Sequence, residues 1–266
     1  MFYLNAVMPH AVFIFLLQNQ PDLMCTSWQL NGQQATTRLA GQEGHLDLGQ
    51  PEHGFCLDGP QQPALRLLCF GNATPELPTV TENPRGYVRH DDLVINYGGD
   101  GVLPFHLQIY WGRRSYPASV ECNGLEWTLA MQTELPDRLS QLATSTTGFG
   151  ASELLHLPAL DAKEAKPIES TSTLCAAEST GCILVRLGAI SYIELVHPQD
   201  FISAQVVSTD EESGFSINRT VFDCTLEKGV IVRARLFGLC VPRDNDVTLL
   251  REAYQSFLRR ELPLTT

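Results

Sequence analysis

The chain has 266 residues, enough for one large domain or two modest ones. At 44% hydrophobic and 18% charged it is too apolar to be disordered, so it reads as a soluble globular protein. The 18 basic and 30 acidic residues give a net charge of −12, which excludes a generally basic nucleic-acid binder and disfavours docking on anionic lipid, so neither nucleic acid nor membrane is an expected partner.

Residues 11–17 (AVFIFLL) form an apolar run too short to span a bilayer as a helix. No Lys or Arg precedes Arg38, and QNQP follows the run instead of a small-residue cleavage site. Residues 1–23 therefore read as an extra strand or short helix, a poor export signal, or a leader upstream of a start at Met24.

Short strands follow at Ser27–Leu30, Ala35–Leu39, His45–Leu48, Ala64–Phe70, Gly86–His90, Asp92–Tyr97 and Phe105–Trp111. Gly- and Pro-bearing clusters such as GQPEHG and TENPRG separate them. In Leu125–Thr133, Leu125, Trp127, Leu129 and Met131 face one way, and Glu126, Thr128, Ala130 and Gln132 the other. Asn123-Gly124 suits a type I′ turn, which makes Ala118–Cys122 the expected hairpin partner of that strand. Glu153–Leu157 is a further strand.

Residues 158–181 lack alternation and read as a linker between two β-rich units, 24–157 and 182–266. Each unit holds an expected hairpin, so duplication is one option. In the second unit Cys182–Leu187 pairs with Ile190–Val196 across Gly188-Ala189. After Ile202–Ser208 and Phe215–Asn218, Thr220–Leu226 pairs with Val230–Val241 across Glu227-Lys228-Gly229. Asp244-Asn245-Asp246 caps a helix running to Leu262, with Val247, Leu250, Tyr254, Phe257 and Leu258 as its apolar stripe. The expected fold is all-β: a large antiparallel β-sandwich, as one or two sheet units, closed by one C-terminal α-helix.

Charge is even along the chain: 6 basic and 12 acidic residues in 1–133, then 12 and 18 in 134–266, give −6 in each half. One local exception is 233–260, where six Arg face three acids. It reads as an anion site or as a solvated face. The eight cysteines contain no C-x-x-C and no zinc spacing, and several sit in apolar runs. They read as core thiols, which favours a reducing, cytoplasmic compartment. No nucleotide, metal or nucleophile-elbow motif is present, and no cofactor or metal is expected.

Two constellations carry chemistry. His90, Asp91 and Asp92 stand in GYVRHDDLVINY at a turn, with Asp100 beyond. Carboxylates beside an imidazole suit acid–base work or a hard cation, although Asp also favours turns by bonding its own backbone. Trp111, Arg113 and Arg114 end a strand. An exposed indole beside two guanidiniums would stack on a sugar or grip an anion; the alternative is an indole packed at the sheet edge.

The strings GYVRHDDLVINY, LPFHLQIYW and LEKGVIVRARL resemble β-rich proteins of planctomycete bacteria. The resemblance implies a bacterial setting and supplies no activity. The leading expectation is a non-catalytic binding or protein-interaction role, with protein or carbohydrate as partner. The alternatives are a carbohydrate-active enzyme on a β-sandwich and a structural subunit of an assembly. The enzyme requires two carboxyl groups facing one cleft within roughly 5–10 Å.

Overall fold

The computed structural model describes residues 28–58, 63–72, 84–98, 105–117, 121–134, 138–209 and 213–260. The leader question at 1–23, Cys25, Asp100 and residues 118–120 lie outside them.

Two nine-stranded antiparallel sheets pack face to face, as the alternation predicts. With strands numbered in chain order, the first sheet runs β1 (Gln29–Asn31), β2 (Gln34–Leu39), β3 (Gln42–Asp47), β4 (Phe55–Asp58), β5 (Pro63–Asn72), β10 (Arg138–Gly148), β17 (Gly214–Leu226), β16 (Ser203–Thr209), β13 (Thr171–Cys175). The second runs β12 (Lys166–Pro167), β11 (Glu153–His156), β14 (Ile183–Leu187), β15 (Ile190–Val196), β18 (Ile231–Pro242), β9 (Glu121–Thr133), β8 (Phe105–Pro117), β7 (Asp92–Tyr97), β6 (Arg85–Arg89). Both sheets draw strands from both sides of residues 158–181, and that stretch itself supplies β12 and β13.

The main core lies between the sheets. Leu107, Ile109, Trp111, Leu125, Trp127 and Leu129 from the second sheet meet Leu46, Phe55, Leu67, Phe70 and Ile217 from the first. Each such side chain contributes about 1.5–3 kcal/mol by leaving water. Trp28 Nε1 donates to the Trp111 carbonyl across the sandwich (2.9 Å). A buried ion pair also links the sheets: Arg219 Nε on β17 donates to Glu194 Oε1 on β15 (2.6 Å), while Thr146 Oγ1 and Tyr192 OH donate to Glu194 Oε2.

The outward face of the second sheet carries a smaller core. Cys122, Leu184, Ile193, Leu195, Phe237 and Leu239 pack under α1 (Asp246–Arg259) through Leu250, Tyr254 and Phe257. The expected side-chain cap is absent. Asn245 is left-handed (φ 65°) and makes no capping bond. Asp246 instead accepts from Arg186 Nε and Nη2 and from Ser191 Oγ, fastening the helix to β14 and β15.

Of the three expected hairpins, β14–β15 forms as read, Ile183 pairing Glu194 through Leu187 pairing Ile190. The other two are corrected. Asn123-Gly124 is no turn: both residues lie inside β9, opposite Ser115 and Arg114 of β8. Gly124 serves close packing, since a Cβ there would stand 2.4 Å from the Phe237 ring and 2.6 Å from the Gly238 carbonyl. The arms 220–226 and 230–241 do not pair either. They belong to opposite sheets, β17 bonding β10 and β16, and β18 bonding β15 and β9. Gly229 does take the expected left-handed conformation (φ 79°), but its turn crosses the sandwich.

The seven described cysteines are free, and five of them are buried. No helix among the described residues is long and apolar enough to cross a membrane.

Candidate functional site

Beyond α1, among the described elements none is seen to pack on the outward face of the second sheet, whose side chains are mostly polar. Cross-strand pairing lines its side chains in rows. One row reads Arg85, Asn96, Gln108, Ala130, Arg233 across β6, β7, β8, β9 and β18. The next, toward the helix, reads Tyr87, Val94, Tyr110, Thr128, Arg235. On the other side His106, Gln132 and Ile231 form a shorter row. Period-two alternation explains the set: in Phe105–Trp111 the odd positions go to the core and His106, Gln108 and Tyr110 come out.

These groups are pre-arranged. Gln108 Nε2 donates to Asn96 Oδ1 (2.8 Å), and Tyr110 OH donates to Gln108 Oε1 (2.7 Å). Burial raises the Tyr110 phenol above its ordinary value; Tyr87 and Asp92 add to the rise, while Arg233 and Arg89 oppose it. Asn96, His106, Gln108, Ala130, Gln132 and Ile231 surround a depression of about 200 Å³. Tyr87, in the next row opposite Val94, is 48% exposed.

The face ends toward the helix in an arginine–carboxylate seam. Arg114 Nη1 donates to Asp92 Oδ1 (2.7 Å) and its Nε to Glu126 Oε2 (3.0 Å). Arg260 lies 3.5 Å from the same Glu126 oxygen. Arg235 stacks on Phe257 (4.7 Å) and Arg260 on Phe237 (5.1 Å). Arg235 Nη1 donates to the Arg260 carbonyl (2.8 Å). Burial lowers the Arg235 pKa, with Glu126 and Asp200 opposing. Burial also raises the Asp200 carboxyl to about 6, against the Arg235 amide it accepts from.

The residues singled out in the sequence distribute as follows. His90 and Asp91 form the exposed β6–β7 turn, His90 in the left-handed region (φ 54°). Asp92 opens β7 and is tied to Arg114. Trp111 corrects the exposed-indole version of the binding face: it is 2% exposed and packs edge-to-face on Trp28. The physical reason is its parity with Leu107 and Ile109, which points all three into the sandwich. Arg113 and Arg114 remain half-buried, Arg114 as the link between Asp92 and Glu126. Among the described residues no group of three His, Cys, Asp or Glu could hold a metal ion.

From the sequence, Asn96, Gln108 and Gln132 do not stand out as site residues, and Tyr110 stands only as the neighbour of Trp111 that alternation sends to the other face. The signal was present as polar residues at alternate positions of otherwise apolar strands. What joins them to Arg233 is register, which no single strand encodes.

No protein-family profile and no curated protein matches the chain. Solved structures resemble it at low identity. A chain described as HI1317 has a TM-score of 0.44 at 9% identity, over 78% of this chain and 92% of that one. A candidate aldose 1-epimerase from Klebsiella pneumoniae has a TM-score of 0.35 at 9% identity, over 65% of this chain and 62% of that one. A candidate kojibiose phosphorylase from the human microbiome has a TM-score of 0.29 at 8% identity, over 87% of this chain and 32% of that one. At these values no residue role passes from them to this chain.

Proposed function

We propose that the protein is a non-catalytic carbohydrate-binding protein that takes its ligand on the bare half of the second sheet. The observation that carries this reading is the Tyr110–Gln108–Asn96 chain of hydrogen bonds at the depression. Carboxamides offer donors and acceptors together, as sugar hydroxyls require. Held by neighbours, they lose little rotamer freedom on binding. Tyr87 adds an exposed ring on which a sugar can stack. The depression is smaller than the roughly 300–1,000 Å³ of drug-sized sites, which suits one sugar ring better than a large cofactor. Asp92 and Glu126, the carboxylates two rows from the depression, both accept from Arg114, which supports binding over acid–base chemistry.

Calorimetric titration with a panel of neutral and acidic oligosaccharides tests this. At least one sugar is expected to bind, with Gln108→Ala weakening it about tenfold and leaving the melting temperature unchanged. No binding across the panel, or binding indifferent to Gln108→Ala, overturns the reading.

A further inference from the structure

The row that floors the depression begins and ends in arginine. Arg85 pairs with Asn96, Asn96 with Gln108, Gln108 with Ala130, and Ala130 with Arg233. Four interstrand steps of about 4.8 Å place the two backbone positions about 19 Å apart. Arg89 lies two residues along β6 from Tyr87, on the same side, and it and Arg233 both act electrostatically on Tyr110. The carboxylates two rows away, Asp92 and Glu126, both bond Arg114. A chain of net charge −12 thus carries a cationic margin around a set of uncharged hydrogen-bonding groups. Such a margin concentrates and orients anions that the rest of the surface repels.

We infer that the ligand of this face is an acidic oligosaccharide, lying across the strands with its anionic groups at Arg85 and Arg233 and its hydroxyls at Asn96, Gln108 and Tyr110. The inference rests on the carbohydrate reading above and deepens it. The 19 Å span requires more than one sugar residue. A guanidinium pairs a planar carboxylate through two parallel hydrogen bonds, and a sulfate ester offers oxygens that it can grip in the same way. The chemistry shared by the two is an anion on a sugar ring.

Titration of the full chain with matched probes tests it: oligogalacturonate, the same oligosaccharide as its methyl ester, and a sulfated galactan oligosaccharide. Inorganic sulfate controls for simple anion binding. At least one acidic probe is expected to bind ten-fold or more above the ester. Its affinity is expected to fall with salt, and to drop about tenfold in Arg85→Gln and again in Arg233→Gln. The carboxylate and sulfate arms identify which anion is read. If the neutral ester binds as tightly as the acidic probes, the inference fails while the carbohydrate reading stands. If no sugar binds, both fail. If inorganic sulfate alone accounts for the arginine dependence, the inference also fails.

Discussion

On the outward face of the second sheet, β14, β15 and β18 present Leu184, Ile193, Leu195 and Leu239 to α1, whereas β7, β8 and β9 present Asn96, Gln108 and Gln132 to solvent. Strand β18 belongs to both halves, with Phe237 under the helix and Arg233 beyond it. Pairing is continuous across the boundary, so the backbone treats the halves alike. Their difference is in the side chains. In the covered half, side-chain volume decides stability; in the bare half, side-chain chemistry is released from packing and available for recognition.

The largest effect is expected where cover is removed. Phe257→Ala empties the stack on Phe237 and the seat of Arg235, and should cost about 3–5 kcal/mol in urea unfolding. A cost below about 1 kcal/mol would show that α1 is not part of the cooperative unit.

The fastening of the helix comes next. Burial pushes the Asp246 carboxyl up, but hydrogen bonds from Arg186 and Ser191 outweigh it and leave the pKa below its ordinary 3.8. A depressed folded pKa means stability that is present above the unfolded value and lost as pH falls through the folded one. Asp246→Ala should therefore cost about 2–3 kcal/mol at pH 7 and progressively less as pH falls below the ordinary carboxylate range, read by thermal melts across pH.

Asp200, at the seam, has the opposite sign. Its folded pKa is raised to about 6, so its contribution is present below the unfolded value and declines as pH rises toward 6. Asp200→Asn keeps an oxygen for the Arg235 amide and should stabilise the protein by about 1 kcal/mol at pH 7, after allowance for partial solvation. The advantage should vanish below pH 4, and an advantage independent of pH would contradict the assignment.

In the bare half the pattern inverts. Tyr110→Phe should change stability by no more than about 0.5 kcal/mol while weakening sugar binding about fivefold. A variant that melts early without losing affinity would show that this half is packing surface after all.

What the sequence discloses follows the same division. Parity along a strand is local, so the inward set Leu125, Trp127, Leu129 and Met131 is legible, and so is the outward set His106, Gln108 and Tyr110. The β14–β15 hairpin is legible because both arms and the turn are contiguous. Strand β10 escapes notice because Thr144 and Thr146 are buried polar residues, Thr146 bonded to Glu194 of another strand. The turn at Lys228-Gly229 announces a change of direction, yet nothing in it says whether the arms pair or part. Gly124 misleads for a related reason: the residue that permits a turn also permits a phenyl ring to lie on the backbone. The candidate site is the least legible, because the row from Arg85 to Arg233 is assembled from five strands.

The chain order of the strands has a consequence for how the protein is made. Among the described strands the chain passes between the sheets seven times, and β18, made last, lies at the centre of the second sheet between β15 and β9. Until it emerges from the ribosome, both of those neighbours expose an unpaired edge, and the Trp127 row waits for its final partner. Six of the sixteen pairings among these strands join strands that are not consecutive in the chain, and such non-local pairings form slowly. A nascent chain ending before residue 231 is therefore an open sheet with two sticky margins, and closure of the sandwich is postponed to the end of translation.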